Sequence, residues 1–220
     1  MSSNGRSVII IGAGGHARVL AELLATLGGT VDGFIGRTAE SRLGPAVPWL
    51  GSDEAMRDLD PHTTVLVNGV GSVRVPHLRR GVYESARALG LEFLSLVDAR
   101  ASVRDSAELH PGLQALPNVI VGSGAVVHEN VLLNSGAIVE HDCVIGAHSH
   151  LSPRATLAGG VTIGECVHVG IGATIVQGVT VGANSIIGAG AVVLRDIPAG
   201  SVAVGVPAVA RPLQEEALHG

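Results

Sequence analysis

Lysine is missing from this chain: all fourteen basic residues are arginine, so Schiff-base and lysine-nucleophile chemistry is unavailable to it. Aromatic residues are almost as scarce. They make up 2% of 220 residues, and none follows Phe93; the others are Phe34, Trp49 and Tyr83. Ordinary globular cores take much of their buried area from such rings, so the stretch after Phe93 must be built differently from the stretch before it. Two cysteines, Cys143 and Cys166, are too few for a disulfide framework and are expected to serve as small buried hydrophobes. No apolar run reaches membrane-spanning length, and no charged n-region with an apolar h-region opens the sequence. A cytoplasmic protein with no membrane partner is expected. The net charge of −5 comes without the basic stripe of a general nucleic-acid binder. With 46% apolar and only 15% charged residues, the composition is not that of a disordered chain.

What replaces the rings is a repeat. From Val97 an aliphatic residue recurs every sixth position, through Val103, Leu109, Ala115, Val121 and onward to Ile187 and Val193, without an insertion. Only Ala115 departs from Val, Ile or Leu. Four residues after each anchor stands a second, mostly small residue, such as Ala101, Ala125, Ala137, Cys143 and Ala155. Neither an amphipathic helix nor an alternating strand repeats on six; an aliphatic anchor at that period is the signature of a parallel β-helix. Three hexads close a triangular coil, so residues 18 apart stack, as Leu133, Leu151, Val169 and Ile187 would. The seventeen hexads from Val97 to Val193 span roughly 25 Å at the strand spacing of about 4.8 Å. A prism this narrow has no room for aromatic rings. The repeat resembles the hexapeptide acyltransferases, and that resemblance implies a left-handed β-helix assembled as a homotrimer. The segment "GSVAVGVPAVAR" (200–211) looks like the exit from such a helix.

The first 96 residues read as a small α/β, Rossmann-like domain. "SVIIIGAGGHARVLAELLATLG" is a buried strand, a glycine turn and an amphipathic helix. Gly12, Gly14 and Ala17 match G-x-G-x-x-A, with Asp32 twenty residues beyond Gly12, a spacing used for dinucleotide binding. Further strands are expected at 30–35, 63–70 and 91–97, and helices at about 53–58 and 74–89. The boundary falls between residues 96 and 97, with the β-helix occupying 97–220.

"VEHDCVIGAHSH" (139–150) gathers His141, His148 and His150 with Glu140 and Asp142. Such a cluster is an acid/base centre, a metal site or a polar surface. For an acyl transfer, a histidine with a pKa near working pH is suited to take the proton of an attacking amine or hydroxyl, and a neighbouring carboxylate orients it. "EHD" provides both. A zinc site between prisms, made by His141, His150 and His168, is the competing arrangement, as in the gamma-class carbonic anhydrases.

Taken together, "IIGAGGHARVLAELL", "VNGVGSVRVPHLRR" and "NSGAIVEHDCVIGAHSH" resemble the PglD/NeuD-type sugar acetyltransferases over essentially the whole chain. The resemblance implies an acetyl-CoA-dependent acetyltransferase of surface glycan biosynthesis, acting on a nucleotide-linked, 4-amino sugar with no metal. It implies His141 as catalytic base and Asp142 as its partner. Asn134, His150, Gly159, Ile171 and Ala189 would meet acetyl-CoA, and Gly14, Gly15, His16 and Gly71 the nucleotide sugar. The family carries acids after the second strand, where this chain has Gly36 and Arg37. Two other readings stay open: O-acetylation of a sialic- or legionaminic-type sugar, and a non-catalytic nucleotide-sugar-binding protein.

Overall fold

In the computed structural model, which describes residues 5–72 and 76–213, the first apolar run becomes the middle strand of a parallel sheet. Strand β1 (Ser7–Ile11) is followed by α1 (Gly15–Thr26), β2 (Gly33–Ile35), β3 (Trp49–Gly51), a 3-10 helix (Asp53–Asp58), β4 (Thr64–Asn68), α2 (His77–Ala88) and β5 (Glu92–Phe93). The strand order is β3-β2-β1-β4-β5, every neighbour parallel. A strand covered on both faces needs unbroken apolar sequence, and Val8, Ile9, Ile10 and Ile11 are at most 4% exposed. Helix α1 buries Ala17, Leu20, Leu23 and Leu24, spaced to form one stripe. The chain divides into two units: residues up to Gly71 with Leu78–Leu96, and Ser72–His77 with the chain from Val97.

Several expected elements are shorter than their sequence pattern. The strand at 30–35 forms only over Gly33–Ile35, because Asp32 turns its carboxylate back to accept from Val8 N at 2.8 Å and Ser7 Oγ at 3.2 Å. The helix expected at 53–58 is a 3-10 turn. The helix expected from 74 begins at His77, after Pro76, and residues 73–75 lie outside the described residues. The run at 91–97 breaks into β5 and a separate strand, Leu96–Val97.

That strand is the first of seventeen two-residue strands, each ending on an anchor, the last being Val192–Val193. They stack in parallel as three sheets of a left-handed β-helix, each strand pairing with the one 18 residues on, as Leu133 with Leu151 and His150 with His168. The anchors Val121, Val127, Leu133, Val139, Ile145, Leu151 and Leu157 are fully buried, as are Ala125, Ala137, Cys143 and Ala155 four residues after an anchor. Both cysteines are buried, and burial pushes the Cys143 thiol above its ordinary pKa.

A third periodic position completes the coil. Every sixth residue from Gly112 to Gly190, three after each anchor, has a positive φ. Glycine fills half of these positions and Asn118, Asn130, Asp142 and Asn184 four more, the side chains that tolerate the left-handed region best. Leu132 lies outside the anchor positions and is still only 1% exposed. It stands in register between Gln114 and His150, on the face where Ser72 bonds to His150. Val126 and Ile138 are half-buried. The exit segment forms an antiparallel hairpin, Ser201–Val204 with Val209–Pro212, whose first strand continues one of the three sheets. Among the described residues, no helix is long and apolar enough to cross a membrane.

Candidate active site

Residues 140–142 form the corner after strand Ile138–Val139. Asp142 takes the left-handed conformation at φ 58°, which turns its carboxylate beside the preceding side chain. His141 Nδ1 lies 2.9 Å from Asp142 Oδ2. A carboxylate only accepts, so Nδ1 carries the hydrogen and Nε2 presents its lone pair. Glycines make the seat for this pair. A Cβ at Gly159, one coil on, would fall on the imidazole, 2.5 Å from Cε1; one at Gly122, a coil before, would lie 2.6 Å from His141 N; one at Gly124 would lie 2.7 Å from Asp142 Oδ1. Both side chains remain open to solvent, 57% and 73% exposed. The corner therefore offers an oriented base with an accessible lone pair.

A second group of residues lines a cavity of about 380 Å³: Asn134, His150, Ile171 and Ala189, with Ser72, Ser152 and His168. His150 Nδ1 is 3.1 Å from the Ser72 carbonyl oxygen and 2.9 Å from Ser72 Oγ. Donation to that carbonyl fixes the hydrogen on Nδ1, so Nε2 accepts from Asn134 Nδ2 at 3.3 Å. Asn134 Oδ1 in turn accepts from Ser135 N at 2.8 Å. The amide's donor side is thus held toward His150 and the cavity. His168 packs edge-on to His150 with ring centroids 5.0 Å apart and lies 3.3 Å from Ser152 Oγ. Burial pushes its pKa down to about 4, which keeps this ring neutral at pH 7.

Four of the five residues expected around acetyl-CoA thus share one cavity. Gly159 does not; it supports His141. The cavity is also lined by Ser72 and Ser152, which the sequence did not single out, and by His168, which it offered only as a zinc ligand. His168 stands one coil on from His150 and pairs with it in register. Among the described residues, His141, His150 and His168 do not bring three ligand atoms together, so the three-histidine zinc arrangement is not formed within the chain.

In the N-terminal unit, a crevice of about 380 Å³ opens where strand order reverses, beyond the carboxyl ends of β1, β2 and β4, the usual ligand position in such sheets. Gly12, Ala13 and Gly14 line it with Gly36, Arg37, Thr38 and Val70. Gly12 has φ +101°, and a Cβ there would meet Gly69 at 3.2 Å. Gly14 caps α1 without a side-chain hydrogen bond and no acid stands in the first turn, so the positive end of the helix carries no acid of its own. Gly71 lies beside His16, where a Cβ would be 3.4 Å from the His16 Cβ. Asp32 is not part of this site. It sits at the start of β1, bonded to Val8 and Ser7, the end of the strand away from the glycine turn, so the dinucleotide ribose contact suggested by its spacing is absent.

One further residue shapes the crevice. Arg79 is fully buried, with Nη1 3.0 Å from both the Asn68 and Val70 carbonyl oxygens, while Asn68 Nδ2 donates to the Arg79 carbonyl. Burial lowers its pKa to about 9, so it stays a cation at pH 7 and clamps the 68–70 turn. In sequence it was one arginine among several on an amphipathic helix.

Comparison with known proteins follows the same division. Residues 7–86 match the PglD N-terminal domain, and residues 124–159 and 160–195 match the bacterial transferase hexapeptide (six repeats). PerB from Caulobacter crescentus, solved with CoA and GDP-perosamine, is 36% identical with a TM-score of 0.86, over 93% of this chain and 97% of its own. Two further structures of that perosamine N-acetyltransferase carry a histidine replaced by asparagine or alanine. The acetyltransferase domain of PglB from Neisseria gonorrhoeae, solved with acetyl coenzyme A, is also 36% identical, with a TM-score of 0.86 over 94% of this chain and all of that one. WeeI from Acinetobacter baumannii, at 18% identity and a TM-score of 0.66, shares the fold.

Proposed function

The chain belongs to the sugar acetyltransferases of the hexapeptide-repeat superfamily that carry a PglD N-terminal domain, and on that premise we propose that it moves the acetyl group of acetyl-CoA to the 4-amino group of a nucleotide-linked sugar. The observation that carries this reading is the His141–Asp142 pair, with the imidazole seated on Gly159 and Nε2 free of any structural bond to its carboxylate. The amine nitrogen attacks the thioester carbonyl carbon while His141 Nε2 takes its proton. Asp142 stabilises the imidazolium that forms. The tetrahedral intermediate collapses, the C–S bond breaks, and the proton on His141 passes to the departing CoA sulfur.

The oxyanion of that intermediate needs a donor. Asn134 Nδ2 supports this role better than His150, whose Nε2 is an acceptor in the tautomer fixed by Ser72. His150 then positions the amide. The cavity with Ile171 and Ala189 takes the pantetheine end of acetyl-CoA. His141 and Asn134 stand on different corners of the prism, so one chain does not present both to a single substrate. A homotrimer, with His141 of one chain facing Asn134 and His150 of the next, resolves this. Ile120 and Ile171, 41% and 59% exposed, are the kind of apolar surface such packing covers.

The N-terminal unit serves as the nucleotide-sugar cradle, with Gly14, Gly15 and His16 at the amino end of α1 meeting the diphosphate and Gly71 alongside. Gly36 and Arg37 line the same crevice. A guanidinium there favours a base edge rich in acceptors, such as guanine O6 and N7. CoA release with GDP-, UDP-, dTDP- and CMP-linked 4-amino sugars tests the reading. Release is expected with a 4-amino sugar, best as its GDP form, and not with its 4-hydroxy counterpart. Release only with a sialic-type hydroxyl acceptor would replace N-transfer by O-transfer, and binding without release in every case would leave a sugar-nucleotide-binding protein.

A further inference from the structure

The column of residues directly after the anchors along one prism edge reads His110, His128, Gly146, Gly164, Gly182. The upper positions have no room for a side chain: a Cβ at Gly146 would lie 2.5 Å from the Gly164 carbonyl carbon, and one at Gly164 would lie 2.5 Å from Ala183 N. The lower two positions do admit a side chain, and both are histidine. Their rings lie 5.0 Å apart at an angle of 33°. One ligand atom of each, together with a carboxylate oxygen of Glu129, falls within 4.8 Å of the others, and all three residues are half-buried. Glu108 Oε1 adds a further carboxylate oxygen 2.9 Å from His110 Nε2. Nothing in acetyl transfer or sugar binding uses this edge, which is not the one that carries His141.

We propose that His110, His128 and Glu129 bind a divalent transition-metal ion, with zinc the best fit, as a structural staple between the first two coils. Two imidazole nitrogens and a carboxylate oxygen are an established zinc donor set, bound at about 2.0–2.2 Å in tetrahedral geometry. Side-chain rotation brings these half-buried donors, already within 4.8 Å of one another, to the roughly 3.3 Å that this geometry requires. Glu108 is within reach as a fourth donor. The placement has a reason. The first-coil anchors Val97, Val103 and Leu109 are only partly buried, whereas from Ala115 onward the anchors are covered. An ion held by His110 on the first coil and by His128 and Glu129 on the second ties the least-packed coil to the rest of the stack.

Tag-free, chelator-dialysed protein titrated with zinc chloride in a calorimeter tests this. The wild type is expected to bind one zinc per chain at micromolar concentration or tighter, and the His110→Ala and His128→Ala variants to bind none at that affinity. Zinc is expected to raise the thermal unfolding midpoint of the wild type and not of the variants, while their CoA release without zinc stays at the wild-type level. Should either alanine variant fail to fold, Glu129→Gln decides, with at least a tenfold weaker zinc affinity expected. Equal zinc uptake by wild type and variants, loss of uptake in His141→Ala instead, or no saturable binding by the wild type would overturn the proposal.

Discussion

His141 owes its position to what its neighbours lack. The ring rests where a Cβ of residue 159 would be, and a methyl group there meets Cε1 at 2.5 Å. Gly159→Ala is therefore expected to push the imidazole off its bond to Asp142, and a displacement of about 1 Å of a catalytic group costs up to about 100-fold. The expected result is a 10- to 100-fold lower kcat with the Kd for acetyl-CoA unchanged; an unaltered kcat would remove Gly159 from the account. His168 provides a pH prediction. Burial holds its folded-state pKa at about 4, below the ordinary 6.5 or so of an unfolded histidine. Between those values the unfolded chain binds a proton that the folded one excludes, so stability falls as pH drops from about 6.5 toward 4, by about 1.4 kcal/mol per unit. His168→Gln is expected to flatten this slope in denaturant titrations between pH 4.5 and 7; an unchanged slope would place the lost stability elsewhere. At this scale the sequence was partly legible. "EHD" announced a histidine bonded to its neighbouring acid, because adjacency in sequence suffices for that contact. Arg79 and His168 were not legible, because their roles depend on which residues the fold buries around them.

The hexad was the most readable element, since three consecutive copies close a coil and each contact lies at a fixed 18-residue separation. Its energetics follow from the same spacing. Leu133, Leu151, Val169 and Ile187 form one fully buried column in a core too narrow to repack around a hole. Leu151→Ala is expected to cost about 2–5 kcal/mol, whereas Leu194→Ala, 52% exposed, is expected to cost under about 0.5 kcal/mol. Urea unfolding of both variants checks the contrast, and equal losses would contradict the anchor assignment. The positive-φ position three residues after each anchor was present in the sequence as recurring Gly, Asn and Asp, yet Arg154, His148 and Cys166 interrupt it. Conformation there is imposed by the coil rather than by residue type alone. The N-terminal elements were less readable. Asp32 spends its carboxylate on the start of β1, which shortened a strand and removed the one acid that a dinucleotide pattern would have used.

At the scale of the whole molecule, composition alone separated a ring-bearing α/β part from a ring-free prism, and each carries its own crevice. That His141 and Asn134 occupy different corners follows from counting residues around a coil rather than along a chain. The proposed division assigns sugar-nucleotide binding to the first part and thioester chemistry to the second, with the base and the oxyanion donor supplied by different chains of a trimer. Co-refolding His141→Ala chains with Asn134→Ala chains tests this most directly. Loss of the base is expected to lower turnover by about 10²–10⁴, and loss of the donor by about 10²–10³, so each variant refolded alone is nearly inactive. In an equal mixture, about a quarter of the interfaces of a cyclic trimer regain both side chains, and CoA release is expected to recover to a comparable fraction of wild type. A mixture no more active than its components, from variants that each refold and assemble, would contradict the shared site, and near wild-type turnover by His141→Ala alone would contradict the catalytic base itself.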